Sequence, residues 1–316
     1  MSTHLVLGAG PVGSAIAELL ASQGQDVVLA SRSGSGPEVP GATRVAVEAT
    51  DPAAVTRLAT GSTVIYNALN PTGYHRWRRE WPPLWAALTA AAEESGALLA
   101  TVGNLYPYGL PDGPFREDTP ERPRGPKARL RAQMWADAER AHREGRFPAL
   151  EVRASDYVGP GTVSTASRAL DAAVSGRTVR VVGRADLPHS WTYPADVAAL
   201  AVAAAADPRA HGRLWHVPTN PPVSQGELVA QVAEAAGAPG PTVRTVGATV
   251  LRLAGLGNPQ ARAVAEVTYQ YTRSFVIDDT AARTRFGLSA TPWTEVVART
   301  AQDLLTHPLS QDGAAR

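Results

Sequence analysis

A chain of 316 residues, 44% hydrophobic and 19% charged, can bury a large core, and its formal net charge of +1 creates no field that draws it to nucleic acid or an acidic membrane. The absence of cysteine excludes disulfides, thiolate zinc sites and a cysteine nucleophile. No apolar stretch reaches the roughly 18 residues of a membrane span, and a strand begins so early that no signal peptide is expected. The chain reads as a soluble cytoplasmic protein.

Residues 4–7 (His-Leu-Val-Leu) form a short apolar run, followed directly by Gly8-Ala9-Gly10-Pro11-Val12-Gly13. Ala15, Ile16, Leu19 and Leu20 then recur at helical spacing as far as Gly24. A second apolar run, 26–30, ends at Ser31-Arg32-Ser33. Strand, glycine turn, helix and strand follow in the order in which G-x-G-x-x-G binds a dinucleotide. In that role Gly8 permits the tight turn, Gly10 lets the backbone approach a pyrophosphate, and Gly13 lets the helix pack close to the strand. Pro11 and Val12 open a helix whose N–H groups and positive dipole end suit phosphate.

NAD- and FAD-binding versions place an acid at the end of the second strand, where it accepts the ribose 2′-OH. This chain has no acid between Val27 and Pro37 and offers Ser31, Arg32 and Ser33 instead. A guanidinium fork flanked by hydroxyls suits a 2′-phosphate, so the expected cofactor is NADPH/NADP+.

Residues 43–47 read as a third strand and 52–59 as a helix capped by Asp51. A fourth strand, 63–66, runs into Asn67-Ala68-Leu69-Asn70. Ligands bind at such carboxyl edges, so Asn67 and Ala68 are expected against the cofactor. An aromatic, arginine-rich insert at 74–81 leads into a helix that ends near residue 95. A fifth strand, 97–102, ends at Gly103-Asn104-Leu105-Tyr106-Pro107-Tyr108-Gly109. A proline-rich loop covers 110–123, a helix 125–143, and a sixth strand 150–154 precedes Ser155-Asp156-Tyr157.

Beyond residue 160 come a helix at 164–175, a strand at 178–182, a helix at 195–206, a strand at 213–217 and helices at 225–236 and 294–305. A frayed tail is expected at 311–316. The alternation predicts an α/β fold, a Rossmann-like doubly wound parallel sheet. Residues 1–160 would form the NADP-binding part. Residues 161–316 would form a smaller, mostly helical substrate-binding part interleaved with the last sheet strands.

This layout resembles the extended short-chain dehydrogenase/reductases, the superfamily of nucleotide-sugar epimerases and dehydratases. The glycine turn, Tyr108-Gly109, Glu117…Pro120…Pro123, Gly125-Pro126 and Arg153…Tyr157-Val158-Gly159-Pro160-Gly161 carry the resemblance. So do Thr192-Tyr193-Pro194-Ala195-Asp196-Val197-Ala198 and, near the end, Asp278, Arg285-Phe286-Gly287-Leu288 and Thr291-Pro292. The chain departs from the family at its catalytic residues. The Tyr-x-x-x-Lys pair aligns with Lys127-Ala128-Arg129-Leu130-Arg131, and the Ser/Thr falls on Asn104. The resemblance therefore implies an atypical member, similar in this respect to ketoreductases that tailor aromatic polyketides.

At about 100° per residue, Lys127 and Arg131 share the packing face of the 125–143 helix with Leu130, Met134 and Ala138. Lys127 is the chain's single lysine. It is the expected donor to a carbonyl oxygen that gains charge on hydride transfer, with Asn104 as a second donor. A substrate phenol or a water is the alternative proton source. Arg131 is expected at the cofactor's ribose or phosphate.

Tyr74, Tyr106, Tyr108, Tyr157, His189 and Trp191 are expected around a flat, largely apolar substrate. Packing is the competing role for Tyr108 and His189, and Asp156 reads as a loop cap. The seven histidines show no metal-ligand spacing, so no metal is expected. The expected function is NADPH-dependent reduction of a carbonyl on a small or medium, aromatic or polycyclic molecule. A non-catalytic NADP(H) sensor and a nucleotide-sugar epimerase are the alternatives, the latter with Arg273 as the nearest diphosphate ligand.

Overall fold

The computed structural model describes residues 3–71 and 73–309; the tail expected at 311–316 lies outside them. In the first half, strands and helices alternate: β1 (Thr3–Leu7), α1 (Pro11–Ser22), β2 (Asp26–Ser31), β3 (Ala42–Ala46), α2 (Pro52–Ala59), β4 (Ser62–Asn67), α3 (Trp77–Ser95), β5 (Leu98–Asn104), α4 (Gly125–Arg143) and β6 (Ala149–Ala154). Asp51 caps α2 as expected, its Oδ1 accepting from the N–H of Ala53 at 3.0 Å and of Ala54 at 3.3 Å.

The second half adds β7 (Asp156–Tyr157), α5 (Thr165–Val174), β8 (Val179–Val182), β9 (Trp191–Thr192), α6 (Pro194–Ala205), β10 (Leu214–His216) and α7 (Gln225–Ala235). It closes with β11 (Val243–Val246), α8 (Ala248–Ala254), α9 (Pro259–Val267), α10 (Thr280–Phe286) and α11 (Trp293–Thr306).

The main sheet has seven strands in the order β10-β6-β5-β4-β1-β2-β3, all parallel. Helices cover both faces, so the strands read as continuous apolar runs, and Leu5, Val6 and Leu7 are all fully buried. Ile16 and Leu20 of α1 and Val197 and Leu200 of α6 close one face. On the other, α2, α3 and α4 contribute Val55, Leu88, Trp135 and Ala138. The winding reverses between β1 and β4, which places a crevice at their carboxyl ends. This is the Rossmann-like α/β fold that the alternation of elements predicts.

The chain does not divide cleanly after β6. β10 returns to pair with β6 at the sheet edge, and α6 packs on α1. A further core is built by α5, α7 and α11 beside β8. There β11 pairs with β8, while β7 pairs with β9.

Candidate active site

The glycine turn is shaped by contact. Gly8 has φ +108°, and a Cβ on it would sit 2.6 Å from the Ala68 carbonyl oxygen. A Cβ on Gly13 would sit 1.8 Å from the Gly8 carbonyl oxygen, so the helix can approach the strand only as glycine. Around Gly10 the situation is reversed, because a Cβ there would meet nothing within 4 Å. That open space lies where α1 begins, and α1 has neither a side-chain cap nor an acid in its first turn. Backbone N–H groups and the positive helix end are thus left for an anion.

The loop after β2 folds over this turn, for a Cβ on Gly36 would lie 2.8 Å from that of Ala9. Ser31 Oγ donates to the Ser35 carbonyl at 2.7 Å, the Ser33 and Ser35 hydroxyls are 2.5 Å apart, and Arg44 Nη1 donates to Gly36 O at 3.0 Å. Arg32 and Ser33 are exposed beside it. One neighbour was not legible in the sequence. Val47 N–H donates to Ser31 O at 2.9 Å, which brings Glu48 to the same edge. Hydrogen bonds from Thr50 hold the Glu48 carboxyl below its usual range, and the charge of Arg32 adds to this. At the end of β4, Asn67 is fully buried; its Oδ1 accepts from Leu69 N–H at 3.3 Å, and its Nδ2 has no partner among the described residues.

The two departures on α4 are both buried, Lys127 at 5% and Arg131 at 6% exposure. Lys127 does not stand free in a cleft, as its expected role as donor requires. Its N–H donates to Glu266 Oε1 at 2.9 Å and its ammonium is committed to Glu266 Oε2. Arg131 Nη2 donates to Val102 O at 2.6 Å, and its guanidinium lies 4.8 Å above the Trp81 ring. Its Nη1 has no partner among the described residues, and burial lowers the guanidinium from its ordinary value. Asn104 Oδ1 accepts from Tyr106 N–H at 3.1 Å and so shapes the turn after β5.

Of the aromatic residues expected at the substrate, Tyr74 and Tyr106 meet hydroxyl to hydroxyl at 2.6 Å. Burial pushes the Tyr74 hydroxyl up to about 12. Tyr157, half-buried on β7, is also pushed up by burial, with Arg131 acting in the opposite sense. His189 is buried, its ring 4.5 Å from that of Trp191 and stacked on Tyr271 and Phe275 at 5.3 and 5.2 Å. Asp156 is not a loop cap. Its Oδ2 accepts from the Tyr271 hydroxyl and lies 3.2 Å from His189 Nε2.

Two expected substrate residues are spent on packing. Tyr108 holds His216 Nε2 at 2.8 Å through its hydroxyl and lies beneath the Arg153 guanidinium at 4.7 Å, inside the core. Trp191 donates from Nε1 to Val223 O at 3.0 Å and packs with Leu170, Val181 and Leu228. Arg273 is exposed. The residues that sequence reasoning missed are Glu266, Tyr271 and Glu48; the aromatic pair in Tyr269-Gln270-Tyr271 was the available signal for Tyr271. Among the described residues no group of His, Asp and Glu could hold a metal, and no helix is long and apolar enough to cross a membrane.

Known structures share this architecture from end to end. The Bordetella bronchiseptica enzyme WbmH, solved with NAD+, superposes with a TM-score of 0.75 at 20% identity, covering 98% of this chain and 100% of its own. A UDP-glucose 4-epimerase of Thermotoga maritima, solved with UDP-glucose, gives 0.79 at 15% identity over 96% and 99%. A dTDP-glucose 4,6-dehydratase of Bacillus anthracis, solved with NAD, gives 0.78 at 16% identity over 98% of both. At such identities the likeness establishes the fold. No curated protein matches the chain. The family model that matches residues 4–217 covers the glycine turn, both α4 departures and the strand edges described above, and the chain accordingly belongs to the NAD dependent epimerase/dehydratase family.

Proposed function

We propose that the protein is an NADP(H)-dependent reductase of a carbonyl on a small or medium aromatic molecule. The observation that carries this reading is the open space at Gly10, with Arg32 and Ser33 exposed on the loop folded over Ala9. These residues fit a dinucleotide with a 2′-phosphate. The turn from Gly8 to Gly13, including Pro11 and Val12, would take the pyrophosphate, and Ser31, Arg32 and Ser33 the 2′-phosphate. Asn67, through its unpartnered Nδ2, and Ala68 would border the cofactor at the β4 edge, and Arg131 would reach it through its unpartnered Nη1. The NAD bound in two of the structural neighbours supports a nicotinamide cofactor. When bound, such a cofactor exchanges a hydride with the substrate carbon.

The oxygen that gains charge needs a hydrogen-bond donor and then a proton. Asn104 keeps its Oδ1 on Tyr106 N–H, which leaves the amide Nδ2 to donate. With Lys127 committed to Glu266, the proton comes from a substrate hydroxyl or a water. An epimerase reading is disfavoured because the family's tyrosine is replaced by Lys127 and Arg273 is exposed.

NADPH is expected to bind at least about tenfold tighter than NADH, a difference of about 1.4 kcal/mol. In Arg32→Ala most of that preference disappears while NADH binding stays nearly constant. Calorimetric titration of both cofactors into both proteins decides the matter. Equal affinity for NADPH and NADH in the unaltered protein removes the assignment.

A further inference from the structure

The carboxylate of Asp156 presents a free acceptor to the aromatic region. Asp156 opens β7, and pairing of that strand with β9 sets it opposite Trp191 and near His189. Both of its partners, the Tyr271 hydroxyl and His189 Nε2, fall on Oδ2. Among the described residues none donates a hydrogen bond to Oδ1, although 16% of the side chain remains exposed. The surroundings are phenolic. Burial pushes up the hydroxyls of Tyr74, Tyr106, Tyr157 and Tyr271, and the charge of Asp156 reaches all four and adds to the effect.

Three of those hydroxyls are engaged elsewhere than Oδ1: Tyr74 and Tyr106 bond each other, and Tyr271 bonds Oδ2. A carboxylate oxygen in such a place accepts strongly from an O–H, since a charge-assisted hydrogen bond is about twice as strong as a neutral one. A diphosphate would bring like charge into a desolvated space and be repelled.

We propose that Asp156 recognises the substrate, its Oδ1 accepting from a phenolic O–H of the ketone. The site then takes hydroxylated aromatic ketones and turns away their O-alkylated forms and nucleotide diphosphates. This assignment rests on the reductase reading above, in which the tyrosine cluster is the substrate side of the site.

The test uses the full chain, with and without NADPH, titrated calorimetrically with emodin, its fully O-methylated ether and UDP-glucose. Emodin should bind at least about tenfold tighter than the ether, the order expected of a hydrogen bond to a charged group, and UDP-glucose should not compete. Asp156→Asn keeps the shape and an oxygen for Tyr271 but exchanges the free acceptor for a donor amide. It should bring emodin and ether to within about threefold of each other while leaving the ether's affinity intact.

A variant that loses both ligands alike would show a packing role and overturn the proposal. Emodin binding no tighter than its ether in the unaltered protein does so without recourse to any variant. Failure of NADPH to bind removes the reductase reading instead, and the hydroxyl preference is still read from the titrations without cofactor.

Discussion

Replacing Arg153 by methionine is expected to destabilise the fold by about 3–5 kcal/mol, the usual cost of removing one partner from a buried ion pair. Arg153 is fully buried on β6. Its Nε donates to Glu151 Oε1 at 2.9 Å and its Nη2 to Glu121 Oε1 at 2.6 Å. Methionine preserves much of the apolar stem but leaves the Glu151 carboxylate stranded at 3% exposure. The Gly103 backbone packs closely on that carboxylate, since a Cβ there would lie 2.1 Å from Glu151 Oε1. Urea unfolding at neutral pH measures the loss. If the stranded charge is its cause, adding Glu151→Gln to Arg153→Met recovers part of it. A single variant within about 1 kcal/mol of the parent would show that the pair contributes little.

Stability should also fall on mild acidification because of His216. This residue is fully buried, its Nε2 accepting from the Tyr108 hydroxyl at 2.8 Å and its Nδ1 donating to the Asp278 carbonyl at 3.1 Å. The first contact calls for a neutral ring, whereas donation to the Asp278 carbonyl works against the shift. Burial lowers its pKa from 6.5 to about 4, and the nearby Arg153 acts in the same direction. Between those values the unfolded chain binds a proton that the folded chain refuses. The stability contributed by neutral His216 is therefore complete above 6.5 and declines as pH falls towards about 4.

From about pH 7 to about pH 5 this amounts to a loss on the order of 2 kcal/mol. Glu117 and Asp196, whose carboxyls burial raises, act in the opposite sense as pH falls through their raised values. Unfolding of the parent and of His216→Asn at both pH values isolates the imidazole. An equally steep pH dependence in the variant would place the effect elsewhere.

The first half of the fold was legible because each signal was local. Asp51 ahead of an apolar-periodic run gives α2, and the 125–143 helix is found as α4 with the same ends. From 237 to 293 little could be read. β11 is four residues long and pairs with β8 across a wide gap in sequence, and α8 and α9 are short. The ion pair of Lys127 was hidden for the same reason. Its helical phase correctly placed it on the buried face, but its partner Glu266 lies on α9, 139 residues away, so the ion pair had no local trace. Asp156 was underrated for the same reason, because Tyr271 is 115 residues distant. In contrast, the glycine turn needed only its own spacing and the strand beside it.

In the proposed NADP(H)-dependent carbonyl reduction, Lys127 holds Glu266 and does not donate the proton. The most direct measurement is NADPH consumption with a hydroxylated aromatic ketone, comparing the parent with Lys127→Met per folded molecule. The parent should turn over, and the variant should retain more than about a tenth of its kcat, well above the level left after loss of a general acid. A fall of about 100- to 10,000-fold would restore Lys127 as the donor, and a parent that binds NADPH without consuming it would contradict the claim altogether, leaving a nucleotide sensor on this fold.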